Sequence, residues 1–182
     1  MNGGGTVNPD STSNAQNPAG SFGFNVRSGN SGPVGSLVYA YRMRIDTAQA
    51  TVATCSNLSA TCRDVDVIIR SAPIGNFVPG QSTTYPKTAF VTGRAVTQYV
   101  DAADGSTPYA RYELTGGWFR LDATDSATTG TNDTVGLTLY GPDGTTVVHQ
   151  SHVPANPIPQ TGIAAATNQV TIATGNLTVK PK

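Results

Sequence analysis

Two cysteines have the spacing that most directly predicts a covalent bond. Cys55 and Cys62 bracket the segment CSNLSATC, a short polar loop between two β-like runs. Such a loop is typical of an intrachain disulfide formed in an oxidising compartment. On the chain-entropy model, closing a loop of this length stabilises a fold by about 2.5 kcal/mol. Two thiols alone do not make a zinc site, and the spacing differs from the C-x-x-C of redox enzymes. We therefore predict a structural disulfide.

Acidic and amide side chains cluster in LDATDSATTGTNDT, residues 121–134, between two further β-like runs. Ca²⁺ takes roughly six to eight oxygen ligands, from carboxylates, amides and backbone carbonyls. The side chains that could supply them are Asp122, Asp125, Asn132 and Asp133. Alternatively, these Asp and Asn side chains accept hydrogen bonds from backbone N–H groups of the loop. The spacing is not that of an EF-hand, and it leaves both interpretations open. A structural calcium ion is the one cofactor that the sequence suggests.

Aromatic side chains offer a second kind of site, because sugar-binding β-domains stack exposed rings on pyranose faces. Period-two alternation puts Trp118 on one face of its strand and Phe119 and Leu121 on the other. If Phe119 and Leu121 are core, Trp118 faces outward. The aromatic residues that we predict to line a carbohydrate site are Trp118, Tyr112, Tyr109 and Tyr99. The alternative is a Trp118 half-buried under a loop.

Catalytic arrangements have little support in the sequence. The nucleophile elbow G-x-S-x-G is absent. A glycosidase needs two positioned carboxyl groups, but the aspartates sit mostly at turns and Glu113 is the sole glutamate. His149 and His152 point to opposite faces of a strand and have no third ligand near in sequence, so we expect a solvated pair. We predict that the chain is not an enzyme.

Alternating apolar and polar residues indicate the strands that must position these groups. The clearest alternation is SLVYAYRMRID, residues 36–46, and the turn GPDG at 141–144 predicts a hairpin. Residues 51–70 predict two strands that flank the cystine loop, and residues 71–88, with three prolines, predict a long irregular connection. The pattern favours an all-β fold: an antiparallel β-sandwich of about 8–10 short strands, Ig-like or jelly-roll-like, with no significant helix.

The domain organisation that we predict has two parts. Residues 1–20 are polar and Gly-rich, and we expect a flexible N-terminal arm in which the segment GTV could form a short edge strand. Residues 21–182 are expected to form a single β-sandwich domain. The arm lacks the apolar region of a signal peptide, so we expect a leader to precede Met1 in the native precursor.

Charge and hydropathy limit the classes of partner. The formal net charge is +0 and only 12% of residues are charged, about half the usual share. Nothing basic enough to recruit nucleic acid is present, and no apolar run approaches the roughly 18–20 residues of a membrane helix. The abundance of Thr, Ser and Asn is typical of secreted or cell-surface bacterial proteins.

Several short motifs follow one another in an order that resembles a known family. They are GGGTV, GSFGFNVR, GPVGSLVYAYR, GGWFRLDATD, NDTVGLTLYGPDGTTVVHQ and ATGNLTVK. Together they resemble the post-COAP type of secreted actinobacterial β-domain, over residues 3–46 and 88–180. Residues 47–87 depart from that pattern. The resemblance implies an all-β extracellular module without established catalytic residues, and it implies no substrate or cofactor.

These observations predict a non-catalytic structural or adhesion module, extracellular or on a cell surface. One alternative is a carbohydrate-binding module that uses exposed aromatics. Another is a subunit of a surface filament, layer or phage fibre that assembles through β-strand edges. The partners to expect are a cell-surface polymer, a glycan or other copies of the same chain.

Overall fold

A computed structural model describes residues 1–8, 20–78, 87–126, 132–151 and 169–180 of the chain. Within these ranges the protein is built from β-strands and one short 3-10 turn, so the predicted all-β antiparallel class is confirmed. The strands are β1 (Asn2–Val7), β2 (Gly20–Gly29), β3 (Gly32–Asp46), β4 (Cys62–Val78), β5 (Thr88–Asp101), β6 (Leu114–Thr124), β7 (Thr134–Tyr140), β8 (Val147–Gln150) and β9 (Val170–Thr178), with the 3-10 turn at Ala110–Tyr112.

The strands form one antiparallel sheet that closes on itself. Their order is β6-β5-β4-β3-β2-β1-β9-β7-β8, and β6 also pairs with β7. One edge of β7 pairs with β6 throughout, while its other edge is shared between β8 and the first residues of β9. Closure leaves few unpaired strand edges. Among the described strands, β8 alone pairs with a single neighbour.

Apolar side chains from both sides of the closed sheet meet in a single core, as in a sandwich. On β3 the predicted alternation holds, because Leu37, Tyr39 and Ile45 are buried. The opposite face of β3 carries arginines that pair with aspartates on β4. The two-residue period therefore separates an apolar interior from a polar exterior.

The strands on either side of the cystine loop differ from the prediction. The segment before the loop contributes only an isolated bridge between Ile45 and Thr54. After the loop, β4 continues through residues 71–78, where we predicted irregular structure. Register shifts between Ser71 and Asn76 accommodate Pro73 while pairing with β5 resumes beyond it.

Residues 2–7 form β1 between β2 and β9 and are not a flexible arm; the short strand suggested for GTV is present, but it is longer and lies inside the sheet instead of at its edge. Three consecutive glycines give this strand no alternating pattern to recognise. Gly3 and Gly5 are needed because a Cβ on Gly3 would lie 2.6 Å from the Leu177 Cβ, and one on Gly5 would overlap the carbonyl oxygen of Thr174 in β9. The rest of the predicted arm, residues 9–19, lies outside the described residues.

Candidate functional site

The predicted disulfide is confirmed, with Cys55 joined to Cys62. Two arginines hold the backbone of the loop between them: Arg44 Nη1 donates to the Ser56 carbonyl over 3.0 Å, and Arg63 Nη1 donates to the Ser59 carbonyl. The loop is thus fixed by a covalent bond and by charge-assisted hydrogen bonds.

A buried ion pair occupies the outer face of β6. The carboxylate of Asp122 accepts hydrogen bonds from Arg120 Nε at 2.8 Å and from Arg120 Nη2 at 2.7 Å. Both side chains are buried, and the Arg120 guanidinium carbon lies 4.4 Å from the centre of the Phe90 ring. Charges this far from water need a bidentate partner. Asp122 is therefore engaged by Arg120 on this face.

Asp133, at the start of β7, is almost fully buried and bonds to two segments of the chain. Its Oδ1 accepts hydrogen bonds from the Ser126 backbone N–H at 3.0 Å and from the Ser126 hydroxyl at 3.2 Å. Its Oδ2 accepts from the Leu177 backbone N–H at 3.1 Å. One carboxylate thus joins the end of β6 to β9.

Asp125 makes a similar contact two residues further along the chain, at Val179, which follows the end of β9. Its Oδ2 accepts a hydrogen bond from the Val179 backbone N–H at 3.1 Å, and its Oδ1 lies 3.9 Å from Lys87 Nζ. Strand β9 pairs with β7 only at its first two residues. Just beyond these pairs, the Ile172 N–H donates to the Asp133 carbonyl at 2.9 Å. Further along, aspartate side chains are the acceptors: Asp133 for Leu177 in β9, and Asp125 for Val179 after the strand has ended.

The four residues proposed as calcium ligands are not all brought together. Asp122 pairs with Arg120, whereas Asp133 binds the Leu177 amide in β9 and Asp125 binds the Val179 amide just after β9. Asn132 is exposed, with a left-handed backbone (φ 71°), just before β7. In the described part of the chain, no group of three or more His, Cys, Asp or Glu side chains is arranged to hold a metal ion. This geometry matches the structural alternative, and calcium binding stays a prediction.

The predicted aromatic site is divided between two places. Trp118 lies half-buried on the outer face of β6, opposite the buried Phe119 and Leu121, as the alternation predicted. The Arg94 guanidinium lies 3.6 Å from the centre of the indole ring, and its Nη1 donates to the Gly116 carbonyl at 2.7 Å. Arg94 therefore already covers one face of the ring that a sugar would stack on.

The three tyrosines form a separate cluster near the 3-10 turn. Tyr99 and Tyr112 are buried, each with 5% exposure, so the expectation that they are available to a glycan is wrong. The Tyr112 hydroxyl lies 2.9 Å from the carbonyls of Asp46 and Gln49. Burial raises the pKa of the Tyr99 hydroxyl. The alternation along β5 turns Tyr99 inward, and the 3-10 turn brings Tyr112 against it.

Tyr109 is the remaining member of the predicted aromatic set, and it is half-buried. Its hydroxyl donates to Asp101 Oδ2 at 2.9 Å, and its ring centre lies 6.4 Å from that of Tyr112. Burial, followed by the bond to Asp101, raises the pKa of Tyr109. The Tyr109 hydroxyl is therefore used in a hydrogen bond to the end of β5, at Asp101.

His149 is half-buried, so the prediction that it is solvated is wrong. Its ring stacks on Tyr41, with centroids 4.0 Å apart and planes 8° apart, and burial lowers its pKa to about 4. Its Nε2 is buried without a hydrogen-bond partner among the described residues. The sequence held a signal for this burial: in the hairpin at GPDG, His149 pairs with the inward-facing Leu139. His152 lies outside the described residues.

Two exposed turns use aspartate in the same way. The Asp104 carboxylate accepts hydrogen bonds from the backbone N–H groups of Ser106 and Thr107, both at 2.8 Å. Asp143 accepts from the two residues at the equivalent offsets, both at 3.0 Å. These bonds, together with a threonine hydroxyl in each turn, lower the pKa of each carboxyl to about 2. Both aspartates stabilise local backbone.

The fold and site thus define an all-β, disulfide-bonded protein with one closed antiparallel sheet whose acidic side chains bind neighbouring backbone and arginines. Comparisons with family models, with curated proteins and with solved structures found no match to this chain. In the described ranges, no helix has the length and apolar character needed to span a membrane.

Proposed function

We propose that this chain is a non-catalytic structural or adhesion module that acts outside the cell, on a cell surface. The observation that carries the proposal is the way the aspartates are used. In the described residues, every aspartate accepts a hydrogen bond from backbone, from arginine or from another side chain; these are Asp46, Asp64, Asp66, Asp101, Asp104, Asp122, Asp125, Asp133 and Asp143.

Carboxylates that act in hydrolysis must reach a substrate and change protonation during the reaction. Here the most buried carboxylates are Asp122 and Asp133, and both are bound on two sides by protein donors. Freeing either carboxylate to reach a substrate would break these contacts. This arrangement supports a framework role for the acidic residues.

Two features support an extracellular location. The Cys55–Cys62 disulfide persists most readily in an oxidising compartment. The low share of charged residues, 12%, is unlike that of proteins that rely on Lys and Glu for solubility. The resemblance to secreted β-domains leads to the same expectation.

An assay for hydrolytic activity tests the proposal. The purified chain is incubated with insoluble polysaccharides and with chromogenic glycoside, ester and peptide substrates. We expect product release no faster than with heat-unfolded chain at the same concentration. Release that scales with the concentration of folded protein would contradict the proposal.

A carbohydrate-binding role has one favourable observation, the half-exposed ring of Trp118. If this ring stacks on sugar, Trp118→Ala abolishes retention on insoluble polysaccharides and Arg94→Ala, which uncovers the ring, increases it. Our account of Trp118 as a residue packed beneath Arg94 expects neither variant to change retention. Tyr112→Phe, a change to a buried hydroxyl, is the matched control.

A further inference from the structure

We propose that β1 is an exchangeable strand, and that its partner is a second copy of this chain whose Asn2–Val7 occupies the slot between β2 and β9. The inference adds a partner to the proposed module and does not depend on the module being non-catalytic. Four properties of β1 lead to it: its position, its weak side-chain anchoring, the glycine-specific shape of its slot, and the length of its connection to β2.

Strand β1 fills a gap that the rest of the sheet cannot close. It pairs with β2 along one edge and with β9 along the other, from Asn2 to Val7 on both sides. Among the described strands, β9 reaches β2 only through β1. Without β1 the sheet therefore has two facing edges with unpaired N–H and C=O groups, which is a template for an added strand.

Side chains contribute little to holding β1 in place. Val7 is its one fully buried side chain, and Gly3, Gly4 and Gly5 contribute none. Glycine also loses more backbone entropy on ordering than any other residue. The strand is thus held mainly by backbone hydrogen bonds, and segments with few buried apolar contacts open at lower free energy than the core.

The space between β2 and β9 fits a strand with glycine at positions 3 and 5 and excludes strands with larger residues there. A Cβ on Gly3 would lie 2.6 Å from the Leu177 Cβ, and one on Gly5 would overlap the Thr174 carbonyl oxygen. Across the ladder, Gly175 adopts a left-handed φ of 105°, and a Cβ there would overlap the Gly4 carbonyl oxygen. A strand with ordinary side chains at these positions cannot approach β9 so closely, whereas the same glycines from another copy can.

The connection between β1 and β2 is long enough for exchange. Residues 8–19 have the sequence NPDSTSNAQNPA, which is polar and offers no apolar alternation. A segment of this length reaches at most about 40 Å when extended. Strands joined by a two-residue turn could not separate in this way. Reciprocal exchange gives a closed dimer, and successive exchange gives a chain of molecules.

The register of β1 on β9 provides a covalent test. Thr6 and Thr174 face each other, with their hydroxyl oxygens 2.8 Å apart. Thr6→Cys and Thr174→Cys are made in separate chains, mixed at a series of protein concentrations, incubated, and then oxidised in a glutathione buffer. Each chain lacks the partner cysteine, so a 6–174 disulfide can only join two chains, and a yield above that of random collision requires β1 of one copy to lie on β9 of the other. We expect a cross-linked dimer on non-reducing electrophoresis, whose yield rises with the concentration during incubation.

The matched control pairs Thr6→Cys with Thr178→Cys. Thr178 faces Asn2, four residues out of register, so this mixture measures cross-linking by random collision. The double variant Thr6→Cys/Thr174→Cys should close within one chain, which confirms both folding and register. Peptide mapping assigns each new bond and the native Cys55–Cys62 bond.

Equal dimer yields in the Thr174 and Thr178 mixtures, or no dimer in either, would overturn the proposal while the double variant still closes. That result would leave the non-catalytic role intact, because product release is measured separately on the unaltered chain. Conversely, substrate turnover by a chain that exchanges β1 would overturn the proposed function alone.

Discussion

Among single residues, the aspartates matter most, because their carboxylates bind backbone amides and arginines of the same chain. Asp133 receives two donors from Ser126 and one from Leu177, so it works as a junction between segments that strand pairing does not join. Burying a carboxylate costs free energy unless protein donors replace the water that it has lost. For Asp133 two of the three donors are backbone amides, so its carboxylate extends the hydrogen bonding of the sheet.

Replacing this carboxylate should measure what the junction contributes. Asp133→Asn keeps the shape but turns one acceptor oxygen into a donor that faces another donor. Because hydrogen bonds to charged groups are worth about 1.5–3 kcal/mol and a buried mismatch adds to the loss, we expect the free energy of unfolding to fall by about 2–3 kcal/mol. Urea unfolding followed by circular dichroism gives the value.

The matched control is Asp66→Asn, which removes an exposed partner of Arg42. Such a pair contributes at most about 1 kcal/mol. Our interpretation of Asp133 would be wrong if the two substitutions destabilised the protein equally.

His149 predicts a specific dependence of stability on pH. Its pKa is about 4 in the folded chain, against an ordinary value of 6.5, because burial against Tyr39 and Tyr41 disfavours the charged ring. The unfolded chain therefore binds a proton first as pH falls, and stability decreases between about pH 6.5 and pH 4. The full loss is on the order of 3 kcal/mol.

His149→Phe keeps the stacking on Tyr41 and removes the titration. We expect its free energy of unfolding to change less than that of the unaltered chain between pH 6.5 and pH 4. Below this window both proteins should lose stability, because carboxyls with lowered pKa values, such as Asp104 and Asp143, begin to take up protons. Parallel curves above pH 4 would show that His149 does not titrate as its surroundings indicate.

At the scale of elements, the segment between β6 and β7 either holds a calcium ion or is held by its own hydrogen bonds. Our account expects the second, because Asp133 accepts the backbone N–H of Leu177 in β9 and Asp125 accepts that of Val179 just after it. The melting temperature should then be the same in calcium and in EDTA. A bound ion at about 100 times its dissociation constant would add about 2.7 kcal/mol, so a clear upward shift with calcium would restore the metal interpretation.

The cystine loop is the second element with a measurable contribution. Replacing both Cys55 and Cys62 by serine removes the cross-link while Arg44 still holds the Ser56 carbonyl. We expect the free energy of unfolding to fall by about 2.5 kcal/mol, the entropic value for a loop of this length. Thermal unfolding of the double variant beside the oxidised chain measures it, and unchanged stability would mean that the arginine contacts alone fix the loop.

The sequence predicted elements best where their side chains alternate. Strand β3, with Tyr39 and Ile45 turned inward, was readable because one face meets the core and the other meets water. Strand β1 was not readable in this way, because three consecutive glycines have no side chains and so give no apolar–polar alternation. This strand is defined by its backbone pairing with β2 and β9. The continuation of β4 past Pro73 was missed for a related reason: its irregular pairing with β5 is a tertiary feature.

The same limit applies to the candidate site. The composition of residues 121–134 predicted acceptors for either a cation or the backbone, and only the position of β9 shows which donors lie within reach. That strand is separated from Asp133 by more than forty residues at Leu177, and no local pattern links the two. The predicted tyrosine platform failed similarly, because the 3-10 turn carries Tyr112 into the core.

At the scale of the whole molecule, closure of the sheet ties these features together. The β6–β7 ladder completes a ring of strands that includes β1 and β9. Within this ring β9 meets β7 through two residue pairs, and the carboxylates of Asp133 and Asp125 bind the Leu177 amide and the Val179 amide that follows β9. Strand β1 closes the other side of β9. The buried Asp133 and the neighbouring Asp125 are thus part of the closure of the sheet, and β1, the strand that we propose to exchange, lies next to β9.

Amide hydrogen exchange at Leu177 and Val179 tests this closure most directly. In the unaltered chain both amides should be protected, since each donates to a carboxylate. Asp133→Asn should speed exchange at Leu177, and Asp125→Asn at Val179, while amides in the middle of the β3–β4 ladder keep their protection. Rapid exchange at both positions in the unaltered chain, or no response to either substitution, would contradict the account.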